Sequence, residues 1–143
     1  MKRSRILFID NAPRILASGA GWLRRYAFEV IAVPGNDEAL AHLERYPQGF
    51  DLLIQDNERP LGQCLADVGP PEELHASSGL LFLRRHVWRL NPGLPCLFAT
   101  ADSRSSLWDR DPGLRENSLF HFMSKPYLPP ELGVVAKEIL GDK

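Results

Sequence analysis

Ile6-Leu7-Phe8-Ile9-Asp10-Asn11 is a run of four apolar residues that stops on two oxygen-bearing side chains. The pattern recurs three times downstream. Leu52-Leu53-Ile54-Gln55 runs into Asp56, Pro95-Cys96-Leu97-Phe98-Ala99 ends on Thr100, and Phe120-His121-Phe122-Met123-Ser124 leads to Lys125-Pro126. Short continuous apolar runs suit strands buried on both faces, as in parallel sheets. If all four are parallel, their polar ends gather at the carboxyl edge of one sheet, where open α/β sheets place their sites. Carboxylates, an amide, a hydroxyl and an amine would then share one crevice.

Segments of helical period alternate with these runs, the mark of a βαβ series. Pro13 to Tyr26 carries Ile15, Leu16, Leu23 and Tyr26 at mostly helical spacing, with Pro13 in the first turn. Glu29 to Val33 reads as a further strand closed by Pro34-Gly35. Asn36 is read as the N-cap of a helix running to about Arg45, with Asp37 and Glu38 favouring its positive end. Ser78 to Leu90 has a broad apolar face and is stopped by Asn91-Pro92-Gly93. Ser103 to Trp108 is expected to form a short helix, cut off by Asp111-Pro112-Gly113. The last helix runs from Pro129 or Pro130 to Leu140. The expectation is a single α/β domain over residues 1–143 with a five-stranded parallel sheet and about five helices.

Asn57 to Ser77 breaks this rhythm. Pro60, Gly62, Gly69, Pro70 and Pro71 interrupt any period, and most βα loops are far shorter. Residues 61–77 read as a long insertion, simplest as a disordered loop, with one helical turn starting at Pro70-Pro71.

A net charge of −1 gives no electrostatic case for nucleic acid. No stretch is long enough to span a bilayer, and no signal peptide is evident, so a cytoplasmic protein is expected. Cys64 and Cys96 make no disulfide framework; Cys96 falls in a strand run and reads as a small buried hydrophobe. His42, His75, His86 and His121 lack metal-ligand spacing. Neither a G-x-S-x-G elbow nor a G-x-x-x-x-G-K loop is present.

A carboxylate at the end of a buried strand is suited to attack a phosphoryl group, forming an acyl phosphate. Such chemistry crowds anionic oxygens and calls for a hard cation and a positive side chain. Asp10, Asn11 and Asp56 offer oxygens, Lys125 the charge and Thr100 a hydroxyl donor. Together with Asp56-Asn57-Glu58-Arg59-Pro60, Ala39-Leu40 and Gly79-Leu80, these motifs resemble the receiver domain of two-component response regulators, over Arg5 to Leu140.

That resemblance implies an α/β, doubly wound, flavodoxin-like fold with the five-stranded parallel sheet in the order 2-1-3-4-5. It implies Asp56 as phosphoacceptor, Lys125 as phosphate-binding lysine, Thr100 as switch hydroxyl and Phe122 as the aromatic that moves with it. It implies Mg2+ held by Asp10, Asn11, Asp56 and the main-chain carbonyl of Glu58, and a cis Lys125-Pro126 bond. It implies a histidine kinase or histidine phosphotransfer protein as donor and a downstream protein as target, with a phosphoacceptor rather than an enzyme at work. The chain departs from the family pattern at Asn11, a neutral residue at an acidic position, so Mg2+ affinity is expected to fall. The Glu58 side chain, or Asp102, either restores that charge or faces solvent. Arg59 stands where the family often has methionine. The interrupted fourth helix implies an output surface of unusual shape, with Trp108 pinning the remnant. The rival reading is a pseudo-receiver, a protein-binding module independent of phosphorylation. A phosphoaspartate hydrolase is disfavoured because such enzymes want a second aspartate where this chain has Glu58.

Overall fold

Five parallel strands form one sheet in the order β2-β1-β3-β4-β5 in the computed structural model, which describes residues 3–141. The strands are β1 (Arg5–Ile9), β2 (Glu29–Val33), β3 (Leu52–Gln55), β4 (Cys96–Thr100) and β5 (Phe120–Ser124). Successive side chains on a strand point to opposite faces. From β1, Ile6 and Phe8 enter one core layer while Leu7 and Ile9 enter the other. The doubly wound arrangement buries both faces, which is why the inner strands β1, β3 and β4 are near-continuous apolar runs rather than alternating.

Helix α1 (Pro13–Arg25) and helix α5 (Pro129–Leu140) cover the first face through Ala20, Leu23, Leu132 and Ala136. Gly19 lets α1 approach closely, for a Cβ there would lie 2.6 Å from the Phe8 ring. The other face is covered by α2 (Asn36–Arg45), α3 and α4 (Arg104–Arg110). Helix α3 is composite: an α segment Ser78–Phe82, a π segment Leu83–Val87 and a last turn Trp88–Leu90. Helix α4 stops at Arg110, and a 3-10 turn, Pro112–Glu116, follows, as the Asp111-Pro112-Gly113 breaker requires. Fully buried Leu107 and Leu114 anchor this region, with Trp108 only partly buried against them.

Two expectations are corrected. Asn36 is the first residue of α2 rather than its cap; Gly35 takes the capping position, and the Asn36 side chain turns inward. The insertion is folded, not disordered. It holds a 3-10 turn Gln63–Leu65 and a short helix Pro71–Leu74 that leads into the turn His75–Ser77. Leu61 and Leu65 enter the core. Asp37 ties the insertion to α2 by accepting from the amides of Gln63 and Cys64, each at 2.9 Å. Gly62 makes this possible with φ +72, a conformation that favours glycine.

Candidate functional site

Parallel register sets the strand ends side by side: Ile9 pairs with Gln55, Gln55 with Phe98, and Thr100 with Ser124. The residue after each strand, or its last residue, therefore lies at one edge. A cleft of about 330 Å³ opens there, lined by Asp10, Asn11, Ala12, Asp56, Glu58, Thr100, Ala101, Asp102 and Lys125. The structure thus brings together Asp10, Asn11, Asp56, Glu58, Thr100 and Lys125. Phe122 lies apart, half-buried beneath the Arg104 guanidinium, whose Cζ is 5.1 Å from the ring centroid. The Lys125–Pro126 bond is cis.

Asp10 is almost fully buried. Its Oδ1 accepts from the amide of Ala12 at 2.9 Å, and its Oδ2 takes Lys125 Nζ at 2.8 Å. Asp56 is 5% exposed, and burial pushes its carboxyl up to about 6. Arg59 and Lys125 pull it down, while the charge on Asp10 pushes the same way as burial. Arg59 donates from Nη1 to Asp56 Oδ1 at 3.1 Å and to the Asp56 main-chain carbonyl. Asp56 lines the cleft, and its Oδ2 has no hydrogen-bond partner among the described residues.

The Thr100 hydroxyl donates to Asp102 Oδ2 at 3.3 Å and accepts from the Asp102 amide at 3.2 Å. Asp102 is held in turn by Asn57 Nδ2 at 3.0 Å and Arg110 Nη2 at 3.0 Å. Arg110 also donates to the Ala76 carbonyl at 2.8 Å, so the Thr100 hydroxyl, α4 and the end of the insertion share one network. Of the two candidates for restoring charge, Glu58 faces solvent. Its side chain is 69% exposed and lies 3.4 Å from His75 Nε2. Asp102 faces the cleft but is committed to Thr100, Asn57 and Arg110.

Two site residues escaped the sequence reading. Asn57 is fully buried, accepts from the Leu80 amide at 3.0 Å and donates to the Ala76 carbonyl at 2.9 Å, which fixes the start of α3 against the strand end. Its place next to Asp56 was the available signal. Arg59 looked like part of a remodelled loop, yet it is 1% exposed beneath the site. Its departure from the methionine of the family pattern was the signal, without the direction.

No family model matches the sequence, and no curated protein matches it. Solved structures do. A response regulator receiver domain protein from Clostridium thermocellum superposes with a TM-score of 0.70 at 19% identity, over 96% of this chain and 94% of that one. The chain has the receiver-domain fold. A CheY-like receiver from Methanospirillum hungatei JF-1 gives 0.70 at 23% identity over 97% and 94% of the two chains. The non-phosphorylated HemR receiver domain from Leptospira biflexa gives 0.71 at 18% identity over 99% and 97%. The first two of these matches span the insertion-bearing chain nearly end to end, so the insertion decorates the receiver fold without breaking its strand order.

The cleft lining offers hard oxygen donors, among them the carboxylates of Asp10 and Asp56 and the Asn11 amide. That chemistry fits Mg2+ rather than a softer ion. Three of the acidic side chains at the cleft are already paired, Asp10 with Lys125, Asp56 with Arg59 and Asp102 with Arg110, and among the described residues no group of three acidic, histidine or cysteine side chains is placed to hold a metal ion. Among the described residues no helix is long and apolar enough to cross a membrane.

Proposed function

We propose that this chain, as a single domain over residues 1–143, is a phosphoacceptor of two-component signalling. The observation that carries the reading is the meeting of Asp10, Asp56, Thr100 and Lys125 at one cleft, with Asp56 Oδ2 unpartnered. Oδ2 attacks phosphorus of a phosphohistidine on a histidine kinase or phosphotransfer protein. The P–N bond breaks, its electron pair returns to the imidazole nitrogen, and that nitrogen takes up a proton. The product is an acyl phosphate on Asp56. Lys125 exchanges Asp10 for a phosphoryl oxygen, and Thr100 turns its hydroxyl from Asp102 to another. Mg2+, held by Asp10, Asn11, Asp56 and the Glu58 carbonyl, supplies charge neutralisation when bound.

The transfer is a change of covalent state in the chain itself, not turnover of a substrate, and the protein is read as cytoplasmic and not as an enzyme. Movement of Thr100 would pass to Phe122 and to the face of α4, β5 and α5. A groove of about 480 Å³ there, lined by Arg104, Trp108, Arg115 and Phe122 among others, is the proposed contact for the downstream protein.

A second reading has its own support. Arg59 already engages Asp56, and Asn11 removes an acidic ligand, which favours a phosphorylation-independent binding module. Intact mass after incubation with Mg2+ and acetyl phosphate or phosphoramidate separates the two. One phosphoryl adduct, absent from Asp56→Asn and from a chelated sample, is the expected result. No adduct on the folded protein, beside a receiver that labels in parallel, would establish the second reading.

A further inference from the structure

Arg59 has no part in the transfer just described, yet among the described residues it is the largest fully buried side chain. Four of its five N–H groups are engaged. Nε donates to Asn36 Oδ1 at 2.7 Å, Nη2 to Gln55 Oε1 at 2.6 Å, and Nη1 to the Oδ1 and main-chain carbonyl of Asp56. Its Cζ lies 5.6 Å from the Phe82 ring centroid. Asn36 is held in place by its own bonds to Ser78 Oγ at 2.8 Å and the Leu61 carbonyl at 3.1 Å. These bonds hold the guanidinium in place beside Asp56, and an arginine stays charged there.

The consequence lies in the charge of the cleft. Asp10 is paired with Lys125, Asp56 is paired with Arg59, and the remaining ligand position is the neutral Asn11. A divalent cation entering between Asp10 and Asp56 meets two carboxylates already neutralised by fixed protein charges. Such charges interact strongly when little water lies between them.

We propose that Arg59 is the resident counter-charge of Asp56. It fixes Oδ1 and the strand-end carbonyl, leaves Oδ2 as the oxygen facing the cleft, and depresses the affinity of the cleft for a divalent cation. This rests on reading Asp10, Asn11, Asp56 and the Glu58 carbonyl as the cation site, but not on phosphorylation, so its failure is distinct from failure of that function.

The test measures free Mn2+ by electron paramagnetic resonance with the wild type and with Arg59→Lys, Arg59→Gln and Arg59→Met, each checked for folding by circular dichroism. The folded neutral variants are expected to bind about tenfold tighter or more, while Arg59→Lys stays near the wild type. Unchanged affinity in a folded neutral variant overturns the proposal, as does an equal rise in Arg59→Lys. Binding that survives Asp10→Asn lies elsewhere and also overturns it. Where the neutral variants do not fold, the wild type decides. Coupling is reciprocal, so Mg2+ must loosen the Arg59–Asp56 pair by the factor by which that pair weakens Mg2+. Faster hydrogen exchange of the Arg59 guanidinium with Mg2+ is expected; exchange that Mg2+ leaves unaltered overturns the proposal.

Discussion

The two faces of the sheet solve the same burial problem with different chemistry. Beneath α1 and α5 the layer is hydrocarbon: Ile6, Phe8, Leu52, Ile54, Leu97 and Met123 meet Leu23 and Leu132. Beneath α2 and α3 the layer has a comparable apolar cluster, but a wedge of Gln55, Arg59, Asn36 and Ser78 is driven into its upper edge. Every polar group of that wedge is bonded, which is the condition for burying it at all. The apolar face tolerates repacking, because dispersion and burial are non-directional. The wedge does not, because its bonds are directional and linked: Arg59 donates to Gln55 and Asn36, and Gln55, Asn36 and Ser78 each accept one bond and donate another.

The sharpest way to break this contrast is Arg59→Ala. It leaves the Asp56 carboxylate, Gln55 Oε1 and Asn36 Oδ1 short of a donor. Removing one member of a buried charge pair typically costs about 3–5 kcal/mol. Phe8→Leu, at a fully buried position on the other face, is expected to cost about 1–1.5 kcal/mol. Urea denaturation of both variants checks the ranking. Equal losses would mean that the wedge carries no more than ordinary packing.

Two glycines test the same contrast at smaller scale. A Cβ on Gly79 would stand 2.5 Å from the Asp56 main-chain oxygen and 2.9 Å from the Asn57 Cα. Neither atom can yield without moving the strand end that presents the site. A Cβ on Gly19 meets the edge of the Phe8 ring, which can shift in a hydrocarbon layer. Gly79→Ala is therefore expected to cost about 2–3 kcal/mol and Gly19→Ala nearer 1 kcal/mol. Thermal unfolding of each checks the order, and the reverse order would show that the apolar face is the stiffer one.

The same division decides how far the sequence could be read. Strand ends and the cleft residues Asp10, Asp56, Thr100 and Lys125 follow from four apolar runs with polar ends, because burial on both faces leaves a continuous signal; the strand order follows from the family resemblance that those ends carry. The wedge leaves none. Arg59 sits three residues past Asp56 amid Pro60 and Gly62, where charge normally marks a solvated loop, and only its partners at Gln55 and Asn36 turn it inward. Asn36 failed for a related reason. Its amide side chain suits a helix cap as well as it suits a buried bond, and the choice is made by Ser78 and Leu61, distant in sequence. The order of the insertion leaves no periodic signal either, because it rests on side chains distant in sequence, Asp37, Asn57 and Arg110, and on two leucines, Leu61 and Leu65, with no period to announce them.

Asp37 is the smallest of these tests and the one with a pH signature. Amide donors at Gln63 and Cys64 favour the ionised carboxylate and hold its pKa below the ordinary carboxylate range. A folded-state pKa below the unfolded value contributes stability that is present above the unfolded pKa, near 3.8. It is lost as pH falls through the lower folded value. The side chain is exposed, so Asp37→Ala is expected to cost only about 1 kcal/mol at neutral pH. Part of that gap reflects charge-assisted bonds and should narrow in acid, once the carboxylate is protonated in the wild type too. Urea midpoints of wild type and Asp37→Ala, followed from neutral pH downward, report it. A gap independent of pH would show that Asp37 holds the insertion by shape rather than by charge, and would place the insertion with the apolar face rather than with the wedge.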